Sequence, residues 1–314
     1  MNRSHSLHRP ALPAGSSCVA LGLFNGLHPG HMAVIKKMLR DAQAHRLTPL
    51  VFTFSTNRLA PDAKGVVRQI LSETMTDALL KDLGVAQVVC PDFAAFCDFS
   101  PERFVGDILS GRLGAARVVC GYDFRFGMGA AGDVKRLRGL CAPLGIGVEV
   151  VPAVAVDGQL AATRTIRTLI EAGEIPAANR LLGRRFAIDF EVIHGQKLGR
   201  TLGWPTINQA FPHDFVLPRF GVYATLTRVG GKLYSSVTNV GVKPTVGSNS
   251  VLAETYIQAF SGDLYGERIQ VDFLDFLRPE QPFSDLAALK YAIGADAARA
   301  KEIAGAVDKL QSTV

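Results

Sequence analysis

Two hydrophobic rhythms divide the chain. Up to Leu182, short continuous apolar runs alternate with stretches of helical spacing. Ser17–Phe24, Leu47–Phe54, Val85–Cys90, Arg117–Gly121 and Gly147–Val151 read as buried strands. His31–Ala44 sets Val34, Ile35, Met38 and Leu39 at helical spacing, and Ser72–Leu83 starts on a capping serine and stops at Gly84. Pro101–Leu109, Asp133–Leu144 and Ile175–Leu182 also read as helices. Buried strands alternating with helices predict an α/β domain with a doubly wound, Rossmann-like parallel sheet.

After Gly183 the period becomes two. Phe186, Ile188, Phe190 and Val192 alternate with Arg185, Ala187, Asp189 and Glu191. Gly221–Val229 and Lys232–Val240 flank Gly230-Gly231, which predicts a hairpin. Thr255, Ile257 and Ala259, then Ile269, Val271 and Phe273, continue the alternation. The pattern predicts an all-β antiparallel barrel, followed by a helix over Pro282–Leu310 with Ser284 as its cap. The expected domains are therefore 17–182 and 183–314, with 1–16 a disordered lead-in.

Composition narrows the classes. With 314 residues, 48% of them hydrophobic, the chain can bury two ordinary cores. Its apolar runs fall short of the roughly 18–20 residues that span a bilayer. The first residues carry Arg3 and Arg9 but no apolar core of a signal peptide, so a cytoplasmic protein with no membrane partner is expected. Five cysteines form no CxxC pair, which argues against a disulfide framework or a zinc site. The net charge of +6 suits anionic ligands. Lys and Arg are scattered rather than clustered, which favours small phosphorylated molecules over nucleic acid.

The segment Phe24-Asn25-Gly26-Leu27-His28-Pro29-Gly30-His31 joins the first strand to the first helix. In a doubly wound sheet this is where ligands bind, and helix N-termini favour phosphate. His28 and His31, with Gly26 and Gly30 beside them, could hold polyphosphate oxygens and offset developing charge. An HxxH pair is also compatible with an ordinary polar loop. Its place between an apolar strand and a helix favours the ligand role.

A second motif follows the first barrel strand: Gly195-Gln196-Lys197-Leu198-Gly199-Arg200-Thr201-Leu202-Gly203-Trp204-Pro205-Thr206-Ile207-Asn208. Gly195, Gly199 and Gly203 let backbone approach phosphates, and Lys197 and Arg200 add positive charge. Thr206 and Asn208 put two oxygen donors on one face, suited to Mg²⁺ bound together with substrate phosphates. Glu254 opens a strand otherwise uncharged to Phe260. A carboxylate there could take a proton from an attacking hydroxyl, although a strand-end glutamate facing solvent fits the same pattern.

These segments carry a resemblance. Phe24–His31 is similar to the HxGH signature of the nucleotidylyltransferase superfamily. With Gly121-Tyr122-Asp123-Phe124-Arg125-Phe126-Gly127, it resembles the FMN adenylyltransferase half of bifunctional bacterial riboflavin kinase/FAD synthetases. Residues 195–208 look like the riboflavin kinase signature, and Gly221-Val222-Tyr223, Thr238–Thr245, Ala253–Ile257, Gly262–Gly266 and Phe276-Leu277-Arg278 are similar to later segments of that family in the same order.

The resemblance implies two ATP-dependent steps, riboflavin to FMN in the barrel and FMN to FAD in the α/β domain. Mg²⁺ would assist, and riboflavin, FMN and ATP would be the molecules bound. It implies Glu254 as base, Thr206 and Asn208 as metal ligands, and Pro205 as part of the phosphate loop. Tyr223, Asn239 and Arg278 would contact flavin, although an ordinary edge arginine also fits at 278. Asp123, Thr163 and Arg167 would line the nucleotide site of the first domain.

Four features depart from the family pattern: Asn25 in place of Asp, the stretch Ser55–Arg58, Ala162 in a serine-rich run, and Met128 where a basic residue is common. A kinase with an altered first domain, and a flavin-binding regulator without turnover, therefore stand beside the bifunctional reading.

Overall fold

The computed structural model describes residues 1–7, 11–55, 68–195, 203–245 and 248–311. The chain forms two compact units, 1–69 with 73–163, and 70–72 with 164–314.

In the first unit, β1 (Asn2–Ser4), β2 (Ser17–Leu21), β3 (Thr48–Phe52), β4 (Gln87–Val89), β5 (Ala115–Gly121) and β6 (Gly147–Val151) form one sheet, in the order β1-β4-β3-β2-β5-β6. Every pairing is parallel, and β7 (Ala155–Val156) and β8 (Gln159–Leu160) form a separate antiparallel pair. The central strand β2 is buried throughout, which is why it reads as an apolar run from Cys18 onward. Helix α1 (Pro29–His45) starts with proline in its first turn, buries Val34, Ile35, Met38 and Ala42, and ends on Arg46 in the left-handed conformation. Burying side chains such as Ile35 and Met38 contributes about 1.5–3 kcal/mol each. α2 (Glu73–Asp82), α3 (Pro101–Arg103) and α4 (Val134–Cys141) complete the main helices of this unit. α3 runs on as a π-helix over Phe104–Arg112, whose wider turn is closed by Leu113 N–H donating to Ile108 O.

The expected disordered lead-in is corrected by β1. Asn2–Ser4 pairs with Gln87–Val89, and Arg3 is held by Asp77 and Glu73. Three residues with no apolar alternation give no strand signal; pairing and ion pairs supply what pattern lacks.

The second unit contains α5 (Thr163–Ala172) from Arg164 onward, and α6 (Ile175–Leu182). The contacts therefore divide the chain ahead of the boundary expected after Leu182. Asn179 explains why α6 goes with the barrel: its Nδ2 donates to Phe273 O at 2.9 Å, and its Oδ1 accepts from Phe186 N–H at 2.6 Å.

The barrel strands are β9 (Ala187–Ile188), β10 (Val192–Ile193), β11 (Thr206–Ala210), β12 (Gly221–Val229), β13 (Lys232–Thr245), β14 (Ser248–Ile257) and β15 (Gln270–Arg278), ordered β10-β11-β14-β13-β12-β15-β9 and antiparallel throughout. One short segment forms both edges of this curled sheet, since β9 pairs with β15 and β10 with β11. The strand expected over Phe186–Val192 is thus broken in two, and Gln209 Nε2 bridges the seam by donating to Phe190 O and Ile269 O. Gly230 and Gly231 both have positive φ, at 55° and 80°, as the tight β12–β13 turn demands.

β12 is buried on both faces. Val222, Ala224 and Leu226 pack under Ala297, Ala300 and Ala304 of α7 (Leu286–Gln311). On the other face Thr225 and Thr227 join a fully buried chain of hydroxyls, Thr227–Ser236–Thr225–Thr238–Thr255, with links of 2.7–2.9 Å. The expected cap Ser284 gives way to Asp285, whose Oδ1 accepts from Ala288 N–H at 2.8 Å. That bond holds the Asp285 carboxyl below its usual range. Among the described residues, no helix is long and apolar enough to cross a membrane.

Candidate active sites

In the first unit the order β4-β3-β2-β5-β6 reverses direction of growth between β2 and β5. Leu21 and Cys120 are partners at the carboxyl ends of these two strands, so the loops after β2 and β5 open side by side at the switch point. Those loops are the two motifs of this domain.

The first loop is tightly wound, with positive φ at Phe24 (51°), Gly26 (87°) and Leu27 (42°). Two non-glycine residues in that region mark a locally strained turn of the kind found at functional sites. His28 caps α1 through its backbone, with Met32 N–H donating to His28 O. The His28 and His31 rings stack with centroids 3.7 Å apart, and Phe24 meets His31 edge-on at 5.5 Å. A Cβ at Gly30 would come within 3.1 Å of His28 Cε1, so glycine leaves the ring its place.

Asn25 Nδ2 donates to Arg68 O at 3.0 Å, and Thr163 Oγ1 donates to Asn25 O at 3.2 Å. Thr163 thus tethers the histidine loop from the far end of the domain. Asp123 lies in the turn closed by Phe124 N–H donating to Gly121 O, and Met128 is exposed. Arg167 lies on α5 in the second unit.

In the barrel, strand register builds the site. Asn208 faces Glu254 across β11 and β14; Glu254 faces Asn239 across β14 and β13; Asn239 faces Val222, and Val222 faces Arg278. These residues make one cross-strand row on the face that packs against α7. Thr206 lies two residues from Asn208 and so shares its side of β11. Asn208 is buried, and a Cβ at Gly195 would stand 2.7 Å from Asn208 Cγ, so Gly195 makes room for this amide.

Gly203 has φ 86°, and Pro205 and Thr206 help line a cavity of about 510 Å³ with Phe260, Asp263, Leu264 and Tyr265. Lys197, Gly199 and Arg200 lie outside the described residues.

Two of the residues expected to contact flavin, Tyr223 and Arg278, have partners within the protein. Tyr223 is fully buried, donates its hydroxyl to Arg219 O, and has its ionisation pushed up by burial. Arg278 makes a forked pair with Asp296 of α7, Nη2 to Oδ2 at 2.8 Å and Nε to Oδ1 at 3.2 Å. Both partners are distant or backbone groups that no local motif reveals. Sequence reasoning also missed Glu280, whose Oε1 accepts from Asn239 Nδ2 at 3.0 Å.

Among the described residues no cluster of three or more His, Cys, Asp or Glu could hold a metal alone. Oxygen donors such as Thr206 and Asn208 fit instead a hard cation shared with substrate phosphates.

A parallel sheet with a histidine loop at its switch point, joined to a barrel with a carboxylate between two amides, defines a two-module nucleotide-dependent transferase. The chain matches the family described as FAD synthetase over residues 13–164, and that described as riboflavin kinase over 182–304. It is 35% identical to the bifunctional riboflavin kinase/FMN adenylyltransferase of Pseudomonas fluorescens over 302 residues, covering 93% of this chain and 94% of that protein. The Escherichia coli K12 protein of the same description is 30% identical over 311 residues, covering 97% and 98%. A solved structure described as a macrolide-efflux protein from Streptococcus pneumoniae superposes with a TM-score of 0.81 at 26% identity, covering 94% of this chain and 96% of that one. The chain belongs to the bifunctional riboflavin kinase/FMN adenylyltransferase family.

Proposed function

We propose that this chain carries out two successive steps of flavin nucleotide synthesis. In the barrel, ATP phosphorylates riboflavin to FMN. In the α/β domain, ATP adenylylates FMN to FAD. The observation that carries the reading is the placement of Glu254 directly between Asn208 and Asn239 on neighbouring strands.

In the first reaction the ribityl 5′-hydroxyl oxygen bonds to the γ-phosphorus of ATP, the bond to the β–γ bridging oxygen breaks, and ADP leaves. Glu254 orients the hydroxyl and takes its proton. Thr206 and Asn208 would hold Mg²⁺, which when bound neutralises charge on the phosphates. Gly195, Lys197, Gly199, Arg200, Gly203 and Pro205 form the phosphate loop in this reading, and Asn239 meets the flavin substrate.

In the second reaction a phosphate oxygen of FMN attacks the α-phosphorus of ATP and pyrophosphate leaves. The nucleophile is already an anion, so the site needs charge stabilisation rather than a strong base. His28 and His31 meet the phosphate oxygens. Gly26 and Gly30 let backbone approach, and Asp123 and Thr163 contact the nucleotide. The stacked histidine pair at the switch point supports this reading despite the substitutions at Asn25, Ala162 and Met128. An enzyme drawing twice on ATP fits the cytoplasm.

The test is chromatography of the flavins formed with ATP and Mg²⁺, first from riboflavin and then from FMN. FMN and FAD from riboflavin, with FAD from FMN, are expected. FMN alone would leave a kinase with an altered first domain, and no product from either would overturn both assignments.

A further inference from the structure

Glu280 follows β15 and lies outside every motif discussed so far. Its Oε1 accepts a hydrogen bond from Asn239 Nδ2. A carboxylate offers lone pairs and no proton, so this contact decides which way round the amide of Asn239 stands. The NH₂ group faces Glu280 and Oδ1 faces away. Oδ1 is buried, and it has no hydrogen-bond partner among the described residues. Buried acceptors are normally matched by a donor, so an orphan at a ligand site calls for one supplied by the ligand.

The place of that oxygen is informative. Asn239 stands directly opposite Glu254, and side chains so related in an antiparallel pair are neighbours. A second residue shapes the contact from below. A Cβ at Gly241 would collide with the Glu280 carboxylate and stand 2.8 Å from its Cδ. Gly241 shows no positive φ, so its backbone accepts alanine and what the missing methyl provides is room for Glu280.

We propose that Glu280 is a positioning residue for the kinase reaction. It locks the Asn239 amide so that Oδ1 is presented beside Glu254 as the acceptor for a hydroxyl of the substrate's ribityl chain. This inference rests on the kinase reading of the barrel. Asn239 touches substrate, whereas Glu280 acts through Asn239. A neutral acceptor next to the base selects a polyol donor and adds no charge to compete with Glu254 for the proton.

The test is steady-state kinase kinetics on the full chain, varying riboflavin and ATP separately. Glu280→Lys replaces an acceptor by a donor, which turns the amide round. It should lower kcat/KM for riboflavin about tenfold, as expected for losing one substrate hydrogen bond, and leave KM for ATP unchanged. Glu280→Gln, which keeps an oxygen able to accept from Nδ2, should recover most of that loss. Gly241→Ala should reproduce part of the Lys effect in the parent chain, and should add nothing further in a Glu280→Ala background.

Parent-like kcat/KM for riboflavin in Glu280→Lys would overturn the proposal. So would an equal rise in KM for ATP, or an undiminished Gly241→Ala effect without Glu280. Absence of FMN formation by the unaltered chain would instead strike the kinase reading itself.

Discussion

Asn208 and Glu254 stand directly opposite each other on β11 and β14, while Asn239 faces the same glutamate from β13. The carboxylate is thus flanked by two amides, one on the strand that also bears Thr206. Replacing Glu254 by Gln keeps the shape and removes the proton acceptor. FMN formation should fall at least about a hundredfold in kcat, measured with riboflavin and ATP saturating. A kcat close to the parent value would remove Glu254 from the chemistry.

Thr206 and Asn208 give a separate handle. Asn208→Ala should raise the Mg²⁺ concentration needed for half-maximal kinase rate about tenfold, since one oxygen ligand to a charged partner is lost. Titrating Mg²⁺ at fixed ATP reads this directly. An unchanged Mg²⁺ curve would separate these donors from the metal.

The histidine pair should matter to the other product. His28→Ala or His31→Ala should cut FAD formation from FMN about 10²–10³-fold, the usual cost of losing a group that stabilises transition-state charge. FMN formation from riboflavin should continue. Gly30→Ala should give a milder version of the same loss, because the new methyl would press on the His28 ring at 3.1–3.2 Å. Equal FAD output from all three variants would remove the pair from the reaction.

The cysteines make a prediction about pH. Burial pushes the thiols of Cys18 and Cys120 up to about 12, and that of Cys141 to about 11, from an ordinary 9.0. Once unfolded, the same thiols ionise near 9, so above that pH the unfolded chain releases protons that the native chain keeps. Stability from this source is full below pH 9 and is lost as pH rises toward 12. Thermal melts should show the fall over that range. In the native protein at neutral pH, exposed Cys97 should be alkylated first, ahead of the four buried thiols.

The large pattern of the fold is legible in the sequence because its strands announce themselves by burial. β2 is buried at every position and apolar from Cys18 to Leu21, and the glycine pair at 230–231 can form the tight turn it forms. Local motifs such as His28–His31 and Thr206–Asn208 can be picked out in the sequence because their residues lie within a few positions of each other. Partners from elsewhere in the chain leave no local signal: Arg278 pairs with Asp296 on α7, and the buried Tyr223 donates its hydroxyl to Arg219 O. Glu280 is invisible for the converse reason: nothing in its own neighbourhood says that Asn239 lies against it. β1 has too few residues for any periodicity to show.

The hydroxyl chain inside the barrel has a consequence in proton counting. Five side chains, Thr227, Ser236, Thr225, Thr238 and Thr255, share four links. Each hydroxyl owns one proton, so four protons are used along the chain and one is surplus. That surplus can sit on any member, because neighbours on either side turn their own protons toward it and every link survives. The row of hydroxyls therefore keeps all four links without being committed to one arrangement of protons.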